Sequence, residues 1–132
     1  MQSNDLKGVK VLVTRPALQN QKLYDLVRAH GGEPVVCPLI KIEPTYAHEA
    51  LLTVLTRIDD IDIAIFVSTN AVTHGLGALR SQGQTLSEST QVFAVGATTA
   101  LMLQAADIRV DGVPLGLWGA NGLRALAPFR SA

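Results

Sequence analysis

Ile65-Phe66-Val67-Ser68-Thr69-Asn70 passes from three apolar, strand-favouring residues to two hydroxyls and an amide, the pattern of a strand that turns straight into a helix. Val11-Leu12-Val13-Thr14-Arg15-Pro16 and Ala94-Val95-Gly96-Ala97-Thr98-Thr99 repeat the arrangement, with Pro16 supplying a φ suited to a first helical turn. A hydroxyl, amide or glycine at such a junction leaves backbone N–H groups available to an anion. Three junctions on one face would suit a ligand carrying several carboxylates or phosphates.

Outward from these junctions the chain alternates. Lys10 to Thr14 reads as a strand, Leu18 to His30 as an amphipathic helix on Leu18, Leu23, Leu26 and Val27, with Gly31-Gly32 as its stop, and Glu33 to Cys37 as a second strand. Pro38 and Pro44 bracket the extended Leu39-Ile40-Lys41-Ile42, which reads as a crossing from one structural unit to another. Ala47 to Arg57 reads as a helix and Ile58 to Ile63 leads into the strand ending at Val67. Asn70 to Leu79 is a helix weakened by Gly75 and Gly77, and Ser81 to Thr90 is a polar connection. Gln91 to Val95 is a strand, Thr98 to Ala106 a helix, Ile108-Arg109-Val110 a brief strand closed by Asp111-Gly112, and Asn121 caps a last helix. Strands alternating with helices predict an α/β protein with a parallel sheet.

Composition narrows the function classes. Hydrophobic residues make up 48% of the 132 and charged residues 17%, so the chain has the apolar content to bury a core but is short for two complete domains. The formal net charge is zero with no basic cluster, which leaves little counterion-release drive toward nucleic acid. No apolar run reaches the roughly 20 residues of a membrane helix, and Met1 to Asp5 lacks signal-peptide character, so the expected compartment is the cytoplasm. Cys37 is the single cysteine and reads as a small core residue. His30, His48 and His74 have no partners at metal-ligand spacing, so neither a metal site nor a catalytic triad is expected.

In order and spacing, Val11 to Pro16, the glycine pair with Pro38-Leu39-Ile40, Ile65 to Val72 and Ala94 to Ala100 resemble uroporphyrinogen-III synthase. No one of these motifs is specific by itself; their ordered combination is, and it covers nearly the whole chain. The resemblance implies two α/β domains of flavodoxin-like, parallel-sheet units, joined by a two-stranded linker and here incomplete. On that pattern, residues 1–37 are the opening βαβ piece of the first domain, 38–44 a linker strand, and 45–132 the N-terminal part of the second. It also implies an enzyme, a lyase of tetrapyrrole and haem biosynthesis. Such an enzyme cyclises hydroxymethylbilane to uroporphyrinogen III with inversion of the last pyrrole ring and loss of water, without a cofactor.

The resemblance makes Ser68 the family's strand-end serine, followed by Thr69 and Asn70, and Thr99 the threonine of its glycine-containing turn. With Arg15, Gly96 and Thr98 these form the candidate substrate-binding set. Each has a plainer alternative: Ser, Thr and Asn cap helices without any ligand, Gly96 serves a tight turn, and Arg15 is a surface charge. Val67 stands where the family commonly has threonine. The tyrosine the family is thought to use near the leaving hydroxyl falls in a segment this chain lacks. Neither Tyr24 nor Tyr46 matches it, Trp118 reads as a packing anchor, and no catalytic residue is assigned. A non-catalytic remnant of the family and a flavodoxin-like binding module stay open beside the enzyme. Unfinished sheet edges predict self-association.

Overall fold

The computed structural model describes residues 5–45, 49–116 and 119–129. It is a mixed α/β protein that divides into two compact units, Met1–Pro44 and Thr45–Ala132. Tyr46, His48 and Trp118 lie outside the described residues.

In the first unit, β1 (Lys10–Val13) pairs in parallel with β2 (Glu33–Val36), Lys10 opposite Glu33 and Val13 opposite Val36. The connecting helix α1 (Gln21–Ala29) buries Val27. It ends where Gly31 takes φ +78°, which lets the Gly31 N–H reach Arg28 O and the Gly32 N–H reach Val27 O. Glycine enters this left-handed conformation without the steric cost of a Cβ. The helix begins later than its apolar spacing predicts. Ala17–Gln19 forms a tighter 3-10 turn that breaks the 3.6-residue phase, leaving Leu18 100% exposed rather than on the buried stripe. Cys37 is likewise exposed, a correction to its reading as core, because it follows the last paired residue of β2. Residues 38–44 carry no regular secondary structure.

In the second unit, β3 (Ile63–Phe66) pairs in parallel with β4 (Gln91–Ala94), Phe66 opposite Ala94. α3 (Thr69–Ser81) links them and α4 (Ala97–Ala105) follows β4. Phe66, Val92 and Ala94 from one sheet face join Val72, Leu76 and Leu79 of α3, Ala100 and Leu103 of α4, and Leu55 of α2 (Glu49–Leu55) in one apolar cluster. α3 runs two residues past Leu79 because Gly83, at φ +67°, lets the Gln84 N–H close on Leu79 O. Gly75 does not break it; a Cβ there would sit at ordinary contact distance from the Phe66 ring, 3.5 Å away.

The other sheet face carries Phe93, whose ring meets Phe129 edge-on at 5.1 Å between centroids. A Cβ at Gly112 would lie 2.7 Å from the Phe93 ring and 3.2 Å from Leu126, so the close approach of Gly112 to β4 needs glycine. Ile108-Arg109-Val110 is not a strand. Asp107, at φ +59°, closes α4 in left-handed backbone and commits the Ile108 N–H to Leu103 O, so the chain meets β4 only at a single parallel bridge, Phe93 to Gly112. The last helix, α5 (Ala120–Arg124), starts after Gly119 at φ +73°, with Asn121 inside it rather than capping it. The parallel sheet is thus two separate two-stranded pieces.

Candidate functional site

The parallel register of β3 and β4 brings their following turns side by side. Phe66 pairs with Ala94 and the Val95 N–H donates to Phe66 O, so Ser68 and Gly96 occupy equivalent places just past the ladder. Each is the cap of the helix that follows, in extended backbone, Ser68 at φ −162° and Gly96 at φ −164°. α3 and α4 therefore start next to one another at one end of one sheet, and they pack against each other.

The two starts differ in chemistry. At α3 the Ser68 Oγ accepts from the Ala71 N–H at 3.1 Å, satisfying one donor of the first turn. At α4 the cap is glycine and offers no side-chain acceptor to the amides of Ala97, Thr98 and Thr99. The positive end of the helix dipole adds to the pull of such amides on a carboxylate. Ser68→Ala should lower stability by about 1 kcal/mol while Ser68→Asp, which keeps an acceptor, should stay near the parent, as read from urea unfolding midpoints.

Thr69 and Asn70 are half-buried, and Asn70 has a partner of its own. Thr98 is exposed beside the turn. Thr99 is only 5% exposed, on the α4 stripe that buries Ala100 and Leu103. Val67 is 65% exposed, an apolar side chain where a hydroxyl would otherwise meet solvent. Arg15 is exposed after β1, on the first unit's sheet and not on the sheet that carries Ser68 and Gly96. Two of the three junctions thus share one sheet, and the third ends a strand of the other.

Other features are distant from this sheet end or plainly structural. An open groove of about 250 Å³ between Ser87, Thr90, Val92, Ile108 and Arg109 lies at the opposite end of β4, where the strand begins. Tyr24 accepts from Arg28 Nη1 at 3.2 Å one turn along α1 and lies under its guanidinium, a pairing along one helix surface. Among the described residues no three His, Cys, Asp or Glu side chains cluster to hold a metal ion, and no helix is long and apolar enough to cross a membrane.

The family described as uroporphyrinogen-III synthase HemD matches residues 21–126, which takes in both helix starts. The chain belongs to this family. Similar proteins carry the same family name or a related one. The chain is 30% identical over 111 residues to the porphyrin biosynthesis protein HemD of Ruminiclostridium josui, covering 83% of this chain and 22% of that protein. It is 29% identical over 102 residues to a protein of Methanothermobacter thermautotrophicus described as a uroporphyrinogen-III synthase, covering 77% and 40%. It is 30% identical over 95 residues to the uroporphyrinogen-III synthase of Escherichia coli K12, covering 72% and 39%. The chain therefore spans between about a fifth and two fifths of the length of these relatives.

One residue that the sequence presents only as part of a turn, Asp111, fastens the edge of this sheet. Asp111 Oδ2 accepts from the Val92 N–H at 2.7 Å, and Oδ1 lies 2.9 Å from Arg109 Nε. The Val92 hydrogen bond foremost, and Arg109 with it, hold the Asp111 carboxyl below its ordinary value of 3.8, against a smaller opposing effect of burial. A carboxyl depressed in the folded state adds stability above its unfolded pKa, which is lost as pH falls through the folded value. The stability gap between the parent and Asp111→Asn, measured by urea unfolding, should therefore shrink as pH is taken below 3.8.

Proposed function

We propose that the chain takes part in cyclising hydroxymethylbilane to uroporphyrinogen III, with inversion of the last pyrrole ring and loss of water. The adjacent starts of α3 and α4, beyond Ser68 and Gly96, are the observation that carries this reading. Exposed Thr98, half-buried Ser68, Thr69 and Asn70, and the backbone at Gly96 and Thr99 offer hydroxyls and amides to acetate and propionate groups. Arg15, exposed after β1, is proposed as a further carboxylate contact through its bidentate fork. Residues 1–37 would then be the opening of the first family domain, 38–44 the outgoing linker and 45–132 the early part of the second.

The reaction asks more for positioning than for charged catalytic groups. Loss of the hydroxyl from the first ring gives an azafulvene, and the last ring attacks it through its substituted carbon to form a spiro intermediate before reclosing inverted. Holding two reacting ends in contact contributes up to about 7–11 kcal/mol in favourable cases. Carboxylates gripped at two neighbouring helix starts bend the flexible tetrapyrrole toward that approach. No cofactor, nucleic acid or membrane enters this reading, and its compartment is the cytoplasm.

A second reading keeps binding without turnover, and is favoured by the chain spanning 22–40% of its relatives. Incubation with hydroxymethylbilane separates the two. Isomer III in excess over the spontaneously formed isomer I supports synthesis by this chain, whereas isomer I alone overturns it and leaves binding. Open sheet edges flanked by exposed Leu12, Val35, Ile65 and Val67 support self-association, which a monodisperse monomer in light scattering would contradict.

A further inference from the structure

β4 has two amide donors on the side away from β3. The Gln91 and Val95 N–H groups donate to Asp62 O and Phe66 O, while Val92 and Ala94 point the other way, toward residues 111 and 112. The Ala94 N–H is met by Gly112 O at 3.1 Å, as a third strand would meet it. The Val92 N–H is met by a side chain instead, the Asp111 carboxylate, while the Asp111 N–H donates back to Val92 O at 2.8 Å. One residue thus closes both bonds at this step, where α4's left-handed end has kept Ile108 to Val110 out of the sheet.

The bridge from Phe93 to Gly112 is parallel, so the chain after Gly112 leaves the sheet at the same end as the turn after β4. That exit carries buried Pro114, exposed Leu115 and Gly116 in left-handed backbone toward the end where Ser68 and Gly96 lie. We propose that Asp111 is a positioning residue for the ligand-binding end of the second unit: by fastening Val92 it sets where the Val113 to Gly116 loop leaves the sheet, at the end that carries the two helix starts. The ligand part of this inference rests on the function proposed above; the placement of the loop does not.

The test uses the 132-residue chain, ¹⁵N-labelled, with uroporphyrin III as an octacarboxylate probe. In Asp111→Ala the Val92 amide should exchange with solvent at least tenfold faster, the amide shifts of Val113 and Gly116 should move, and the dissociation constant for uroporphyrin should rise at least fivefold. Asp111→Asn retains a carbonyl oxygen for Val92 and should restore exchange, shifts and affinity to within about threefold of the parent. Arg109→Ala, which removes only the ion pair, should leave the loop shifts in place. Should Asp111→Ala fail to fold, Asp111→Glu keeps the charge but moves it by one methylene and should displace the same loop shifts. Unmoved Val113 and Gly116 shifts in the folded variant overturn the inference, as does Arg109→Ala reproducing the effect while Asp111→Asn gives no rescue. A parent chain that does not bind uroporphyrin sinks the proposed function; the loop shifts then still decide the role of Asp111.

Discussion

Phe93→Ala is expected to destabilise the second unit by about 3–5 kcal/mol in urea unfolding. The ring is 3% exposed and fills the sheet face opposite α3 and α4, where it lies over Gly112 and meets Phe129 edge-on at 5.1 Å. Its removal opens a void against Gly112 and withdraws the ring that Phe129 meets. Amide exchange should therefore quicken first at Gly112 and Phe129, ahead of α3. A loss below about 1 kcal/mol would mean that the second face is not a packed layer.

Leu103→Ala should cost about 2–5 kcal/mol through the other face. Leu103 is fully buried among Phe66, Val72, Leu76, Ala94 and Ala100, so its side chain ties both helices to both strands. Domains of this size hold only about 5–15 kcal/mol of net stability, and the variant is expected to move the whole unfolding midpoint rather than one segment. Its amide exchange should rise uniformly over α3, α4 and β4. An unchanged midpoint would contradict the assignment of a single core to this face.

The alternation of strands and helices was legible because local rules and packing agree. Ile63 to Phe66 and Gln91 to Ala94 are apolar where the sheet buries them, Ser68 caps the helix it precedes, and Gly31 stops α1 where the pair of glycines announces a stop. Misreadings arose where a backbone conformation carries no reliable letter. Asp107 in left-handed backbone turned the β-branched run after α4 away from the sheet, and the 3-10 turn at Ala17–Gln19 put Leu18 out of phase. Cys37 is small and apolar, but burial depends on whether anything packs over the end of β2, which composition cannot report.

At the candidate site the strand-to-helix turns were readable and the outcome of each side chain was not. Thr99 falls on the core stripe of α4 with Ala100 and Leu103 while Thr98 lies on the open side, a division that the turn motif alone does not show. Asp111 escaped notice because Asp-Gly reads as an ordinary turn; only the outward amides of β4 reveal what its carboxylate does. Family membership rests on the match over residues 21–126.

The central claim is that carboxylates are held by the paired helix starts after Ser68 and Gly96. Titrating the ¹⁵N-labelled chain with uroporphyrin III at low and at physiological salt tests it most directly. The largest saturable amide shifts are expected at Thr69, Asn70, Ala97, Thr98 and Thr99, with affinity falling as salt screens the charges. Saturable shifts confined to the groove of Ser87, Thr90 and Arg109, with those five amides unmoved, would contradict it.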